Sequence, residues 1–577
     1  MAEEPEKEVD VSELKDLLRS NEIAADERYA IEQAIYRLEM LDYVEDDPFL
    51  SAHMFSKVEE AFSEKGIKIP DEIKDALEKK SLSIRQAMEK KLLEKKKEYA
   101  FLLQSKKNSE NSSEKKHSEM ENMANSRKDI FNSHINNDNN DKPEKYHISE
   151  RQKAEISFSD DKYIDYEECL QFLDSIEKKK GIKLGLDNMS KILQLLGSPQ
   201  SNYKIIHVAG TNGKGSVCAM IDSILQSAGL KTGRYTSPHL VKINERFMIN
   251  GEQISDEKFV EMVNRIRPYL KKVELTYFEI LTLMAFIYFN DEKVNFAVVE
   301  VGMGGRLDAT NASLPFMGVI TNIDLDHTEH LGNTIKEIAA EKAGIIKEGM
   351  MIVTGCEGDA FNVVRDTCTR KKAKLFPLVK SQTMQDGLKF GDMGGINLLL
   401  QGDFQIKNAE VAVSSILALK NKGIQIPDRA VKIGLASADW PGRLDFVENN
   451  ILLDSAHNPA GIKALRDELE KLKKDFNSII LIFGAMKDKN IPEMILRLVP
   501  SVDSIYLTKA NNERAELPEN ILKEVEKYQH KYIIIKSVSD ALEKARALAT
   551  PRELIVVTGS IYVVGEAMAY LQGRNIF

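Results

Sequence analysis

The stretch Val208-Ala209-Gly210-Thr211-Asn212-Gly213-Lys214-Gly215-Ser216 decides the fold of this chain. An apolar run, Ile205-Ile206-His207-Val208, leads into it. A helical pattern, Val217 to Leu225, leads out and stops at Gly229. Strand, glycine-rich turn with one lysine, and helix, in that order, make a cradle for nucleotide phosphates. Gly210, Gly213 and Gly215 let backbone N–H groups turn inward with no Cβ in the way. Lys214 supplies a point charge beside the outer phosphates, and the helix start adds its partial positive charge. Thr211, Asn212 and Ser216 complete the loop, which implies ATP or GTP. One position departs from the usual pattern: Gly215 separates Lys214 from the hydroxyl of Ser216, which normally follows the lysine directly.

Outward from the loop, apolar strands alternate with amphipathic helices from Tyr163 onward. Strands are expected at Ile205–Val208, Phe296–Val301, Gly318–Asn322 and Met351–Val353. After Gly434 a second series follows at Ile451–Asp454, Ile479–Phe483, Ser504–Leu507, Tyr532–Ile535 and Leu554–Thr558. Such alternation predicts an α/β protein with parallel sheets and helices on both faces. Two domains in tandem are expected: a phosphate-loop domain over 158–435 and a smaller Rossmann-like domain over 436–577. The longest apolar run, Ile280 to Phe289, is too short for a bilayer, which needs about 20 residues. It reads as a buried helix.

The upstream part differs. Residues 1–104 carry apolar residues at helical spacing and form a helical extension with no assigned role. Residues 105–157 are rich in Asn, Ser and Lys, with few apolar residues to offset the entropy of ordering, and read as a disordered linker. The run Lys90-Lys91-Leu92-Leu93-Glu94-Lys95-Lys96-Lys97 reads as a solvated helix face. The whole chain has 577 residues and a net charge of −10, which argues against a nucleic-acid partner. Four cysteines without paired spacing give no disulfide framework or zinc site and fit a reducing, cytoplasmic setting. The acidic start, Met1-Ala2-Glu3-Glu4-Pro5, is not a signal peptide.

Ligands of parallel sheets sit at the carboxyl ends of strands. Phe296-Ala297-Val298-Val299 ends in Glu300, ahead of the glycine turn Gly302-Met303-Gly304-Gly305. A carboxylate there is placed to bind Mg²⁺ bridging nucleotide phosphates. The next strand ends in Asp324-Leu325-Asp326-His327, where acid and imidazole again gather.

The phosphate loop, Tyr235-Thr236-Ser237-Pro238-His239-Leu240, Asn244-Glu245-Arg246, Asn250-Gly251, Glu300–Asn311 and Asp324–His327 together resemble the folylpolyglutamate synthase and dihydrofolate synthase family, Mur-type ATP-dependent amide ligases. The resemblance continues through Glu341-Lys342-Ala343-Gly344-Ile345, Trp440-Pro441-Gly442-Arg443-Leu444, Asp454-Ser455-Ala456-His457-Asn458-Pro459 and Thr558-Gly559-Ser560-Ile561-Tyr562, and covers roughly Tyr163 to the C-terminus. It implies that Lys214 contacts ATP phosphates and that Ser237, Glu300 and His327 hold one Mg²⁺. Lys342 matches a lysine carbamylated in this family, whose added carboxylate helps hold a second Mg²⁺. Asn408, Arg443, Asp454 and His457 would meet the nucleotide, the last three from the second domain. Two positions depart from the family: Phe404 stands where His is frequent, and Ser455 where Gly is common.

The reaction so implied joins a folate or pteroate carboxylate to the amine of L-glutamate through an acyl phosphate. The expected partners are ATP, a pterin or folate and glutamate, with no nucleic acid and no membrane. A monomer is expected, with a protein partner open for the N-terminal extension. Dihydropteroate and reduced folates are not separated by the sequence. Other readings are a Mur ligase acting on a cell-wall precursor or another pterin cofactor, and a ligase-like scaffold working through residues 1–157. The helical, low-complexity upstream region argues against the cell-wall ligases, which carry an α/β nucleotide-sugar domain there.

Overall fold

The computed structural model describes residues 163–181, 184–385, 387–528 and 530–573. The helical extension expected over 1–104 and the linker expected over 105–157 lie outside the described residues. Described residues fall in one compact unit beginning at Glu155.

β1 (Lys204–Ala209) is fully buried apart from its first residue. Such a strand needs neighbours on both edges and cover on both faces. It has β5 (Phe296–Glu300) on one edge and β6 (Met317–Ile320) on the other, both parallel. The sheet extends to β2 (Thr232–Tyr235), β3 (Phe247–Ile249) and β4 (Glu252–Gln253) on one side, and to β7 (Met351–Thr354) and β8 (Lys374–Leu375) on the other. Its order is β4-β3-β2-β5-β1-β6-β7-β8. A small sheet of β9 (Ser381–Met384), β10 (Gly387–Phe390) and β11 (Met393–Ile396) follows. The second lobe is built on β12 (Asp445–Glu448), β13 (Ile451–Leu453), β14 (Ser478–Phe483), β15 (Ser504–Leu507), β16 (Lys531–Ile534) and β17 (Glu553–Thr558), in the order β12-β13-β17-β14-β15-β16.

The expected strands all form, with ends shifted by a residue or two. The expected parallel pairing holds for most of both large sheets, and antiparallel pairs add to it. β2–β3 and β3–β4 pair antiparallel, as do β12–β13 and the whole β9–β11 sheet. The β3–β4 turn uses Asn250 at φ 47° and Gly251 at φ 79°, which suits a tight hairpin. The phosphate-loop helix starts at Lys214 rather than Val217, because Gly213 at φ 78° serves as its N-cap. Lys214, Gly215 and Ser216 thus belong to its first turn.

The run Ile280 to Phe289 lies in the helix Tyr277–Asp291, opened by a capping box between Thr276 and Glu279. It is buried nearly all round, and Phe286 and Phe289 are fully so. Each such side chain contributes about 1.5–3 kcal/mol of apolar burial. No helix among the described residues is long and apolar enough to cross a membrane.

Candidate active site

The register pairs Val208 with Glu300 and Ala209 with Ile320. The loop after β1, the end of β5 and the segment after β6 therefore emerge side by side. Above them the second lobe closes a cleft of about 620 Å³. Every candidate site residue named from the sequence lines this cleft: Gly210 to Ser216, Ser237, Glu300, His327, Lys342, Asn408, Arg443, Asp454 and His457.

The loop is held from the segment after β6. Thr211 N–H donates to the Asn322 carbonyl (2.8 Å), and Asn212 N–H to Asn322 Oδ1 (2.8 Å). Thr321 Oγ1 donates to the Asn212 carbonyl at 2.6 Å. Gly210 is at φ 152°, and a Cβ there would lie 1.8 Å from Thr321 Oγ1. At Gly213 a Cβ would lie 2.2 Å from Asn408 Oδ1. These two glycines are required by close approach. Ser216 Oγ accepts from Gln405 Nε2 at 3.3 Å, and Asn408 Nδ2 donates to Gln405 Oε1 at 2.8 Å. The hydroxyl displaced by Gly215 is thus tied to the helix that carries Asn408.

Two lysines reach into the cleft with backbone partners alone. Lys214 Nζ donates to the Thr211 carbonyl at 3.1 Å, and Lys342 Nζ to the Gly210 carbonyl at 2.8 Å. Neither pairs with a carboxylate among the described residues. Burial, with Lys214 adding repulsion, lowers Lys342 to about 7. Lys342 is 5% exposed, so it is no surface lysine.

Glu300 is buried, and its Oε2 accepts from Ser237 N–H at 3.1 Å. Burial raises its carboxyl above the usual range, opposed first by Lys214. His327 caps a short helix at φ 51°. Burial lowers its imidazole to about 4, against the pull of Asp326, so the ring is neutral near pH 7. Among the described residues no three His, Cys, Asp or Glu side chains gather closely enough to hold a metal unaided. Buried Glu300 has that one N–H for two oxygens, with the Ser237 hydroxyl and a neutral imidazole in the same cleft. This donor set suits Mg²⁺, which binds through few protein groups and completes its shell with phosphate oxygens and water.

The second lobe contributes one braced unit. Asp454, buried and raised by that burial, accepts from Leu444 N–H and Ala456 N–H, both at 2.9 Å. Arg443 Nη1 donates to the Ser455 carbonyl at 3.1 Å. His457 Nδ1 lies 2.9 Å from the same carbonyl and must carry the proton, which leaves Nε2 as an acceptor. Burial, then Lys489, lowers His457 to about 4. Ser455 acts here through its backbone, so serine in place of glycine costs the site nothing visible. Phe404, in place of the family His, also lines the cleft and packs against the second lobe's core.

A polar seam between the lobes was given no role from the sequence. Asp326 Oδ1 accepts from Lys489 Nζ at 2.9 Å, and Oδ2 from Asn458 Nδ2 at 3.0 Å. Burial pushes Asp326 up, but Lys489 and then His327 and His457 hold it well below the usual carboxylate range. Asn212 and Asn458 exchange side-chain amide bonds of 3.3 and 3.0 Å. Asp326 and Asn458 stood inside noticed motifs. Lys489 lies in a charged run, Lys487-Asp488-Lys489-Asn490, that carries no local mark.

A phosphate loop at a switch point, and a second α/β lobe folded over it, define a Mur-type ligase. Family models agree: the Mur ligase middle domain matches residues 208–416, and the Mur ligase glutamate ligase domain matches 442–561. The Bacillus subtilis dihydrofolate synthase/folylpolyglutamate synthase is 36% identical over 417 residues, covering 67% of this chain and 95% of the relative. E. coli FolC, solved in complex with DHPP and ADP, matches with a TM-score of 0.64 at 30% identity, covering 70% of this chain and 98% of its own. The Yersinia pestis bifunctional folylpolyglutamate synthase/dihydrofolate synthase, solved with AMPPNP and Mn ion, matches with a TM-score of 0.64 at 29% identity, over 71% of this chain and 98% of its own. The chain belongs to the folylpolyglutamate synthase/dihydrofolate synthase family.

Proposed function

We infer that this chain is an ATP-dependent ligase joining a folate or pteroate carboxylate to the amine of L-glutamate, as a folylpolyglutamate synthase, a dihydrofolate synthase or both. One observation carries the reading: Lys214 and Lys342 share a cleft with no carboxylate partner, under a loop whose shape suits phosphates. The Lys214 ammonium, held by a backbone carbonyl alone, favours a polyanion there. The names of the relatives supply the substrate class.

A carboxylate repels nucleophiles, so it must first take a phosphoryl group from ATP. The loop N–H groups and Lys214 hold the β- and γ-phosphates, and Arg443 offers a planar fork to the same oxygens. Asn408 and the second-lobe residues Asp454 and His457 border the nucleotide. The glutamate amine then attacks the acyl phosphate and phosphate leaves. Closure of the second lobe excludes water, which would otherwise hydrolyse that intermediate.

Glu300, Ser237 and His327 would hold one Mg²⁺, and Lys342 the second once its amine has taken up CO₂ as a carbamate. The ions would supply charge neutralisation on the transferring phosphoryl group. Burial of Lys342 and its lack of a carboxylate partner support the modification, since an ammonium would repel a cation.

The test is direct. Purified protein is incubated with ATP, Mg²⁺ and glutamate, adding dihydropteroate or a reduced folate in turn, and ADP and product mass are measured. Glutamate-dependent ADP release with at least one pterin is expected. No such release with any pterin sinks the reading. Which acceptor works decides between the two activities.

A further inference from the structure

Trp440, the single tryptophan of the chain, sits on the extra glycine of the phosphate loop. A Cβ at Gly215 would lie 2.5 Å from Trp440 Cζ2, 2.7 Å from Cε2 and 2.9 Å from Nε1. No side chain fits in that space without moving the indole. Gly215 is not at positive φ; it lies in the first turn of the helix Lys214–Ser227. This glycine is therefore needed for room and not for conformation. Serine or threonine directly after the lysine, as in the usual phosphate loop, would collide with the indole.

The indole is anchored elsewhere too. The Arg234 guanidinium lies 5.2 Å from the centroid of its ring, a cation–π distance. Arg234 is 3.4 Å from Asp222, a buried residue of the phosphate-loop helix. Thr232 Oγ1 donates to the same carboxylate at 2.5 Å. Trp440 also packs on the apolar core beneath that helix. Three residues later in the chain, Arg443 enters the cleft. The segment between holds Gly442 at φ 70°, with its N–H on Asp445 Oδ2 at 2.9 Å.

We propose that Trp440 is a positioning residue for nucleotide binding: seated on Gly215 and held by Arg234, it fixes the segment between the lobes to the phosphate loop, so that Arg443 meets the phosphates held by Lys214. The proposal rests on the reading of the cleft as an ATP site. The missing side chain at 215 and the indole at 440 are two halves of one contact.

The experiment uses the full chain and the emission of its one tryptophan. ADP is titrated into wild type, and kcat and KM for ATP are measured for wild type, Gly215→Ala, Trp440→Leu, the double variant and Trp440→Phe. Wild-type emission should change on ADP addition. Gly215→Ala should shift the emission of the free protein and raise KM for ATP by about ten-fold, within the range that one overpacked side chain costs. Trp440→Leu should raise it similarly, and the double variant no further, because both remove the same contact. Trp440→Phe should restore most of the affinity. Additive losses overturn the proposal. So does a fall in kcat with KM for ATP unmoved, the sign of less folded enzyme and nothing more. So does wild-type emission that saturating ADP leaves unchanged. Arg234→Gln, away from the loop, carries the same expectation in milder form should Gly215→Ala fold poorly. A wild type that binds ADP yet shows no glutamate-dependent turnover would sink the ligase reading alone, because the ADP titration still reads the coupling.

Discussion

Asp326 Oδ1 and Lys489 Nζ lie 2.9 Å apart across the lobe interface, each side chain less than a tenth exposed. The two residues are 163 positions apart in the chain. A buried pair of this kind is held by its extra hydrogen bonds, since desolvation cancels much of the attraction. Here Asn458 Nδ2 and the His327 N–H also donate to the carboxylate, at 3.0 and 2.9 Å.

Removing one partner leaves a buried charge uncompensated, at a cost of about 3–5 kcal/mol. Lys489→Met should lower stability by about that amount at pH 7, read by urea unfolding followed by circular dichroism. The double variant Asp326→Asn/Lys489→Met should lose less than the sum of the singles. Additive losses would show that the pair does not act as a unit.

Lys342→Ala should lower kcat by about 10²–10³-fold, the scale of losing one preorganised charge-stabilising group, while ADP still binds by calorimetry. A variant with unaffected turnover would show that the carbamate assignment is wrong.

Removing residues 1–150 should leave kcat within about two-fold of the full chain, because a domain with its own core keeps its site. The compact unit begins at Glu155. A dead but folded truncation would contradict the boundary.

His207 is fully buried, with Nε2 2.7 Å from Thr310 Oγ1 and no partner for Nδ1. Burial, then repulsion from Lys347, lowers it to about 3. In the unfolded chain it titrates near pH 6.5. From about pH 3 to 6.5 the unfolded state therefore binds more protons, and stability falls as the pH falls. His207→Gln keeps a partner for Thr310 and removes the titration. The slope of unfolding free energy against pH should flatten by about 1.4 kcal/mol per pH unit between about pH 4 and 5.5. Urea melts across that range check it, and an unchanged slope would show that another group sets the acid sensitivity.

The phosphate loop was legible because strand, glycines, Lys214 and helix follow one another without a break in the sequence, although Thr321 and Asn408, whose close approach requires Gly210 and Gly213, come from distant parts of the chain. Lys342 needed the family resemblance, though a local sign existed. In the helix Ile335–Ala343, Ile338, Ala339, Lys342 and Ala343 are the buried residues, so the lysine lies on the apolar stripe. The β9–β11 sheet gave no sign, since Gly394 and Gly395 and its exposed Gln382, Thr383 and Met384 break any two-residue alternation. The antiparallel β3–β4 hairpin was marked by Asn250-Gly251, a turn signal overshadowed there by the family motif. Lys489 had none: its burial depends on Asp326 arriving from the other lobe, which no window of sequence contains.

The amide bonds exchanged by Asn212 and Asn458 give the molecule one latch for two doors. Asn212 shapes the phosphate loop through its backbone and grips the far lobe through its side chain. Any rotation that parts the lobes must break those bonds, at the loop that cradles the nucleotide. Asn458 is thus tied to the phosphate loop from across the gap between the lobes.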